Sequence, residues 1–225
     1  MRKKVKNMKK VALIHTGFAL VDVLTKLFKE LVPDAELVHI VDDSLLREVL
    51  AKGKVTKPVI ARMLNYYKSA EYYEVDCILN VCSSVGEVAD IAREIISTPI
   101  VKIDEKMAEE AVARSLNIGV AATLKTTLDP TTRMIEKKAL AAGKKIKITK
   151  TVCPGAFKEL MNGNPAKHDE IVLNGIKELA DKINIIVFAQ GSMARLTANL
   201  NKDLADRILT SPKSGVLEVK RILEL

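Results

Sequence analysis

Short runs of Val, Ile and Leu alternate along the chain with longer segments whose apolar residues recur at helical spacing. Continuous apolar runs of this kind form parallel strands buried on both faces, and the periodic segments form the helices that cover them. The pattern predicts strands over residues 11–15, 36–41, 76–81, 100–103, 118–123, 145–152, 183–189 and 208–210. It predicts helices over residues 19–31, 85–96, 130–142 and 170–182, a linking helix over 105–115 and a final helix over 214–225. The expected class is therefore α/β, with mostly parallel sheets flanked by helices.

The pattern repeats. Sliding the sequence by 108 residues lays 11–15 on 119–123, 77–82 on 185–190, and 100–101 on 208–209. A constant offset across three pairs of apolar runs points to internal duplication, hence to two similar lobes of four strands each. The expected organisation is a basic, flexible arm over 1–10, a first lobe over 11–115 joined by the final helix 214–225, and a second lobe over 116–213. Ligands of open parallel sheets bind beyond the carboxyl ends of the strands, so two matched lobes would share one cleft there.

The third run of the first half reads DCILNVCSSVGEVADIAREII, which puts Cys82 where a buried strand gives way to a helix. The positive end of a helix and its free N–H groups favour thiolate, lowering a cysteine pKa from about 8.5 toward neutrality and fitting the thiol for acid–base work. Ser84 and Glu87 have the spacing of a capping box. Ser83 and the neighbouring N–H groups could instead hold a carboxylate or an enolate, as helix N-termini do. At the 108-residue offset the second half reads INIIVFAQGSMARL, with Gln190 at the place of Cys82 and Gly191 and Ser192 following it.

These two segments resemble the paired motifs of the aspartate/glutamate/hydantoin racemase superfamily. There, each lobe ends a strand in a cysteine followed by small or hydroxyl residues, and the two cysteines flank the substrate α-carbon. NVCSS is similar to the first motif, where Cys-Asn-Thr is common, and FAQGSMA to the second, similar to Gly-Cys-Ala-Gly-Met; the closing ILTSPKSG resembles the end of the last strand. The resemblance runs from Val11 onward and implies a cofactor-independent racemase or isomerase acting on a small carboxylic acid. Gln190 departs from it. An amide hydrogen-bonds in both senses but neither removes nor delivers a proton at carbon, so a symmetric two-cysteine mechanism at these positions is excluded. Related enzymes imply three alternatives: a single cysteine protonating an enediolate, as in arylmalonate decarboxylases; a nucleophilic cysteine adding to a double bond, as in maleate isomerases; or a replacement partner, Cys153 or a histidine.

His15 ends the first strand before Thr16-Gly17 and is a candidate acid, base or anion contact; a histidine hydrogen-bonded at a strand end is the plainer reading. Cys153 follows a strand and precedes Pro154-Gly155, a position that fits a loop thiol as well as a reactive one. His39, within a strand, reads as packed, and His168 as lying before a helix. Thr123 is the counterpart of His15 at the 108 offset and opens TLKTTLDPT, where Thr126 and Thr127 form a hydroxyl-rich loop and Asp129-Pro130 reads as an N-cap and first helical residue. Family members bind substrate through such a loop, so Thr123, Thr126 and Thr127 join Thr16, Ser83, Ser84, Gly191 and Ser192 as candidate substrate contacts. Asp42, Asp43 and Ser44 read as helix capping.

Composition narrows the alternatives. The net charge is +8, but Arg2, Lys3, Lys4, Lys6, Lys9 and Lys10 carry six of those charges, leaving +2 for the rest. With aromatic residues at only 4% and no Trp, a specific nucleic-acid surface has no support. No apolar run reaches the roughly 18 to 20 residues that span a bilayer. Three cysteines without framework spacing argue for reduced thiols and a cytoplasmic setting. No phosphate-loop, dinucleotide or HExxH pattern occurs, so neither cofactor nor metal is expected. The leading expectation is a racemase-like isomerase, in a homo-oligomer, with Cys82 transferring a proton at, or adding to, an activated carbon and Gln190 orienting the substrate. A single-cysteine decarboxylase and a non-catalytic carboxylate-binding protein are the alternatives.

Overall fold

The structure, a computed structural model, describes residues 8–225. The elements run β1 (Lys9–His15), α1 (Val21–Leu31), β2 (Ala35–Val41), α2 (Asp43–Lys52), α3 (Lys57–Tyr72), β3 (Cys77–Asn80), a 3-10 turn (Ser83–Val85), α4 (Gly86–Ala92), β4 (Ile100–Lys102) and α5 (Glu105–Arg114). They continue with β5 (Asn117–Ala122), α6 (Lys125–Ala141), β6 (Lys147–Val152), α7 (Ala156–Met161), α8 (Pro165–Lys182), β7 (Ile185–Phe188), a longer 3-10 segment (Gly191–Asn199), α9 (Lys202–Arg207), β8 (Ile208–Thr210) and α10 (Ser211–Ile222). All eight strands pair in parallel, in two four-stranded sheets of order β2-β1-β3-β4 and β6-β5-β7-β8. The α/β class read from the sequence is the class observed.

The sequence of β1 explains why its apolar run is unbroken. Side chains of a strand alternate between faces. Val11 and Leu13 pack with Leu24 and Phe28 of α1 and Val216 of α10, while Ala12 and Ile14 pack with Leu45, Met63 and Tyr67 of α2 and α3. Both faces of the central strand are covered, so alternation of polarity is lost. α10 lies against α1 and sheet one, contributing Val216, Val219 and Leu223 to that core.

Several boundaries differ from the sequence reading. Lys9 and Lys10 belong to β1 rather than preceding it: Asp76 accepts from the Lys9 Nζ at 2.7 Å and the Lys10 N–H at 2.8 Å, and the Lys10 ammonium sits 4.9 Å from the Tyr73 ring centroid. Arg2, Lys3, Lys4 and Lys6 lie outside the described residues. α6 starts five residues before Pro130, not at it. Burial of Thr127 and Leu128, and a Thr127–Ser84 hydrogen bond, hold the first turn helical although Pro130 removes a backbone donor inside it.

Register refines the repeat. β3 and β4 map onto β7 and β8 at 108, since Ile78 faces Ile100 and Ile186 faces Ile208. β1 maps onto β5 at 107, because Val11 faces Cys77 while Ile118 faces Ile185. The counterpart of His15 is thus Ala122, not Thr123, and Thr123 answers to Thr16. The pair Cys82 and Gln190 is unaffected: Val81 N–H bonds the Ile14 carbonyl just as Ala189 N–H bonds that of Ala121.

Candidate active site

The carboxyl ends of β1, β3, β5 and β7 meet between the sheets. Cys82 has an extended backbone (φ −118°, ψ 118°) and precedes the 3-10 turn; Gln190 has nearly the same conformation (φ −119°, ψ 130°) and precedes the longer 3-10 segment. Two hydrogen bonds tie the halves together beside them. Ser83 Oγ donates to the Ala189 carbonyl at 3.3 Å, and Ser84 Oγ lies 2.9 Å from Thr127 Oγ1. Ser84 is therefore engaged across the cleft and Glu87 binds Arg133 Nε at 2.7 Å, so the expected capping box does not form. Asp42 does cap α2, accepting from the Ser44 N–H at 3.0 Å.

A cavity of about 110 Å³ fills the space between Cys82 and Gln190. His15 and Thr16 line it from β1 and its following loop, Ser83 and Ser84 from the 3-10 turn, Thr127 from α6, and Gly191 and Ser192 from the longer 3-10 segment. The structure thus brings together most of the residues singled out in the sequence. Three fall elsewhere. Thr123 is buried behind the wall, where it holds Gln190. Thr126 lines a different cavity with Asp129 and Arg133, its hydroxyl without a partner. Cys153 is buried in the core under α8, and a Cβ added at Gly175 would come within 2.6 Å of its Sγ. Burial raises the Cys153 thiol to about 11. The strand end pointed toward the cleft, but the side chain turns into the sheet face.

The Thr16 hydroxyl, the N–H groups of Ser84 and Val85 and the Ser84 hydroxyl act on the Cys82 sulfur in the direction that stabilises thiolate. Burial outweighs them and pushes the thiol above its ordinary value. That reverses the expectation of a thiol drawn toward neutrality: a single 3-10 turn offers few free N–H groups, whereas desolvation acts on the whole thiolate. Behind Ser83, burial likewise raises the Asp104 carboxyl, against the opposing influence of Ser83 and Lys102. Burial therefore favours the neutral forms of both acid–base groups, against neighbours that favour the charged ones.

His15 is held by a relay. Its Nε2 lies 3.0 Å from His39 Nδ1, the rings stack at 5.1 Å, and His39 Nε2 lies 3.2 Å from Thr25 Oγ1. Because Thr25 Oγ1 spends its proton on the Val21 carbonyl at 2.8 Å, His39 Nε2 is the donor to it. His39 Nδ1 then accepts from His15 Nε2–H, leaving His15 Nδ1 as a lone pair with no partner. Burial, and His39 beside it, lower His15 to about 4. It is a neutral acceptor rather than an anion contact. His168, read as lying before a helix, is inside α8, fully buried and bonded to Asp169 at 2.8 Å.

Sequence reasoning passed over the apolar part of the wall. Leu20 from the loop after β1, Leu46 from α2 and Phe157 from α7 all line the cavity. A search of strand ends for polar side chains could not find them. The one available signal was the apolar face of the short α7, AFKELM, which leaves Met161 67% exposed. Among the described residues no helix is long and apolar enough to cross a membrane, and no three His, Cys, Asp or Glu side chains are grouped as metal ligands.

Comparison with known proteins agrees with this architecture. The family model described as Asp/Glu/Hydantoin racemase matches residues 12–219. Among solved structures, the chain is similar to glutamate racemase isoform RacE1 from Bacillus anthracis, with 16% identity, 97% of this chain and 82% of that one covered, and a TM-score of 0.71. It is similar to aspartate racemase from Picrophilus torridus (13% identity, 95% and 93% covered, TM-score 0.72). Allantoin racemase from Klebsiella pneumoniae is also similar (15% identity, 96% and 88% covered, TM-score 0.67). No curated protein matches significantly by sequence. At these identities the structural likenesses establish the fold. The family model, spanning nearly the whole chain, establishes that this protein belongs to the Asp/Glu/hydantoin racemase family, enzymes of racemase/isomerase type.

Proposed function

We propose that the protein is a cofactor-independent isomerase of small carboxylic acids in which Cys82 is the single reactive thiol and Gln190 an orienting group. The observation that carries this reading is the shared cavity: the two residues occupy matching places after β3 and β7 and line the same space. Gln190 Oε1 is taken up by Thr123, so its amide N–H groups are the end free to bind a substrate oxygen. The N–H groups at the start of the longer 3-10 segment, at Gly191 and Ser192, add donors for a carboxylate. Cys82 transfers a proton at the activated carbon, or adds to it, while N–H groups and hydroxyls receive the charge that develops on sulfur. No group at the Gln190 position can serve the opposite face of the carbon, so the chemistry is asymmetric.

The raised thiol supports a second reading. A cysteine that rests protonated is equipped to give a proton to an enediolate left by loss of CO₂, which is lyase chemistry. Incubation with small acids in D₂O separates the two: isomerisation exchanges or inverts at carbon with the acid intact, whereas a lyase releases CO₂ and places one deuteron in the product. Labelling by iodoacetamide supplies the control. Slow labelling of Cys82 that no carboxylate slows further, together with no turnover across the panel, would sink both readings and leave a binding protein.

A further inference from the structure

The small cavity at Cys82 opens into a much larger one, of about 1,010 Å³, and the two share Thr16, Leu20, Leu46, Phe157, Gly191 and Ser192 among their walls. We propose that this second chamber holds a bulky apolar substituent of the substrate, so that the enzyme takes aryl- or alkyl-substituted carboxylic acids rather than acids with a second charged group. This rests on the reading of the Cys82 cavity as the reactive site.

The chamber wall is built largely from α1, α2, α7 and the longer 3-10 segment, and much of it is apolar: Val23, Leu27, Leu46, Leu50, Phe157 and Leu160 line it, all at least partly exposed. Its polar side chains are mostly engaged already. Arg47 pairs with Asp43 at 3.2 Å. Arg195 pairs with Asp169 and donates to the Ser192 carbonyl at 2.8 Å, and Thr197 donates to the Ala194 carbonyl at 2.8 Å. Lys213 has no ion-pair partner among the described residues, but it is exposed and stays hydrated. A second carboxylate entering the chamber would give up water against an apolar wall, where the cations are either paired, as Arg47 and Arg195 are, or exposed to solvent, as Lys213 is, whereas an apolar group displaces water from Leu, Val and Phe surface. The polar end of such a substrate fits the Cys82 side, where hydroxyls and N–H groups converge. The continuity of the two spaces places the apolar substituent and the reacting carbon on one molecule.

The test is differential protection of the intact protein by 2-phenylpropanoate and hexanoate on one side and succinate, aspartate and glutamate on the other. The readouts are thermal shift and the rate of Cys82 alkylation. The apolar acids are expected to half-protect at concentrations at least tenfold lower than the dicarboxylates. Leu160→Gln, at a partly exposed position that lines the larger chamber and not the Cys82 cavity, is expected to lose at least tenfold in 2-phenylpropanoate affinity while succinate changes less than threefold; Leu27→Ala should move the same way if Leu160→Gln fails to fold. Equal or tighter binding of aspartate, glutamate or succinate overturns the proposal. So does a concentration-dependent dimer that Leu160→Gln dissociates and 2-phenylpropanoate does not, because a second copy would then fill the chamber. Cys82→Ser keeps the two questions apart. If it retains the preference for apolar acids while the wild type turns none of them over, the reaction proposed for Cys82 fails and the chamber's role stands; turnover of aspartate by Cys82 without that preference gives the reverse.

Discussion

Gln190 is fixed by Thr123: the Thr123 backbone N–H donates to Gln190 Oε1 at 2.6 Å and the Thr123 hydroxyl to the same oxygen at 2.9 Å. Since a backbone N–H can only be received by an oxygen, the amide orientation is determined, and the NH₂ end is a donor-only group at the place that mirrors Cys82. Gln190→Glu keeps both bonds from Thr123 but replaces the donor with a charge. Turnover of a carboxylate substrate is expected to fall at least tenfold, with KM rising, while the melting temperature changes little; steady-state kinetics beside thermal denaturation check it.

The elevated thiol of Cys82 moves the pH dependence of turnover upward, and the role of the sulfur sets its sign. If sulfur acts as base or nucleophile, only thiolate is competent, and kcat/KM climbs with pH through and beyond about 8.5, the ordinary thiol value. If sulfur acts as acid, the rate is flat up to that range and then declines. Cys82→Ser is expected to lose at least 10³-fold in either case, and the wild-type profile between pH 6 and 10 distinguishes them.

Neutral, buried His15 makes the fold acid-sensitive. Its folded value of about 4 lies below the ordinary 6.5, so in that window the unfolded chain binds a proton that the native protein refuses. Stability is therefore unaffected above pH 6.5 and declines as pH falls toward 4, by about 3 kcal/mol in total at about 1.4 kcal/mol per unit. His39, also lowered by burial, adds in the same direction. Urea midpoints from pH 7 to 4 should show this decline, and His15→Gln should flatten it.

Gly191 brings the second half up against Leu20 of the first at the cleft wall. A Cβ placed there would lie 2.6 Å from Leu20 Cδ1. Gly191→Ala is expected to destabilise by about 1–3 kcal/mol through overpacking. Because the obstacle is the end of a flexible side chain, Leu20→Ala should relieve it, and the double variant should be more stable than the two single effects added together.

Much of the fold was legible along the chain because its causes are local. A strand covered on both faces must be apolar throughout, so β1, β3 and β7 announced themselves in the runs that carry Leu13, Leu79 and Val187. The place of Cys82 followed for the same reason, since the end of a buried run and the start of the next element are written in adjacent residues. Even the match between Cys82 and Gln190 could be found by a shift of 108, because β3 and β7 keep that spacing in space.

What the sequence by itself determined was the class, the strands and the pair of residues at which chemistry is to be sought. The tertiary structure decided their character. Whether Cys153 faces the cleft or the core depends on which side of a strand end packs against Gly175 of a helix twenty-two residues away. Whether the Cys82 thiol rises or falls depends on the balance between desolvation and a few converging N–H groups, which no spacing encodes. Whether the site is a small polar pocket or the mouth of an apolar chamber depends on α1, α2 and α7 converging from separate parts of the chain. Periodicity reports what each residue is buried beside along its own element; burial, pairing and cavity shape are sums over contacts distant in sequence, and only the folded chain performs them.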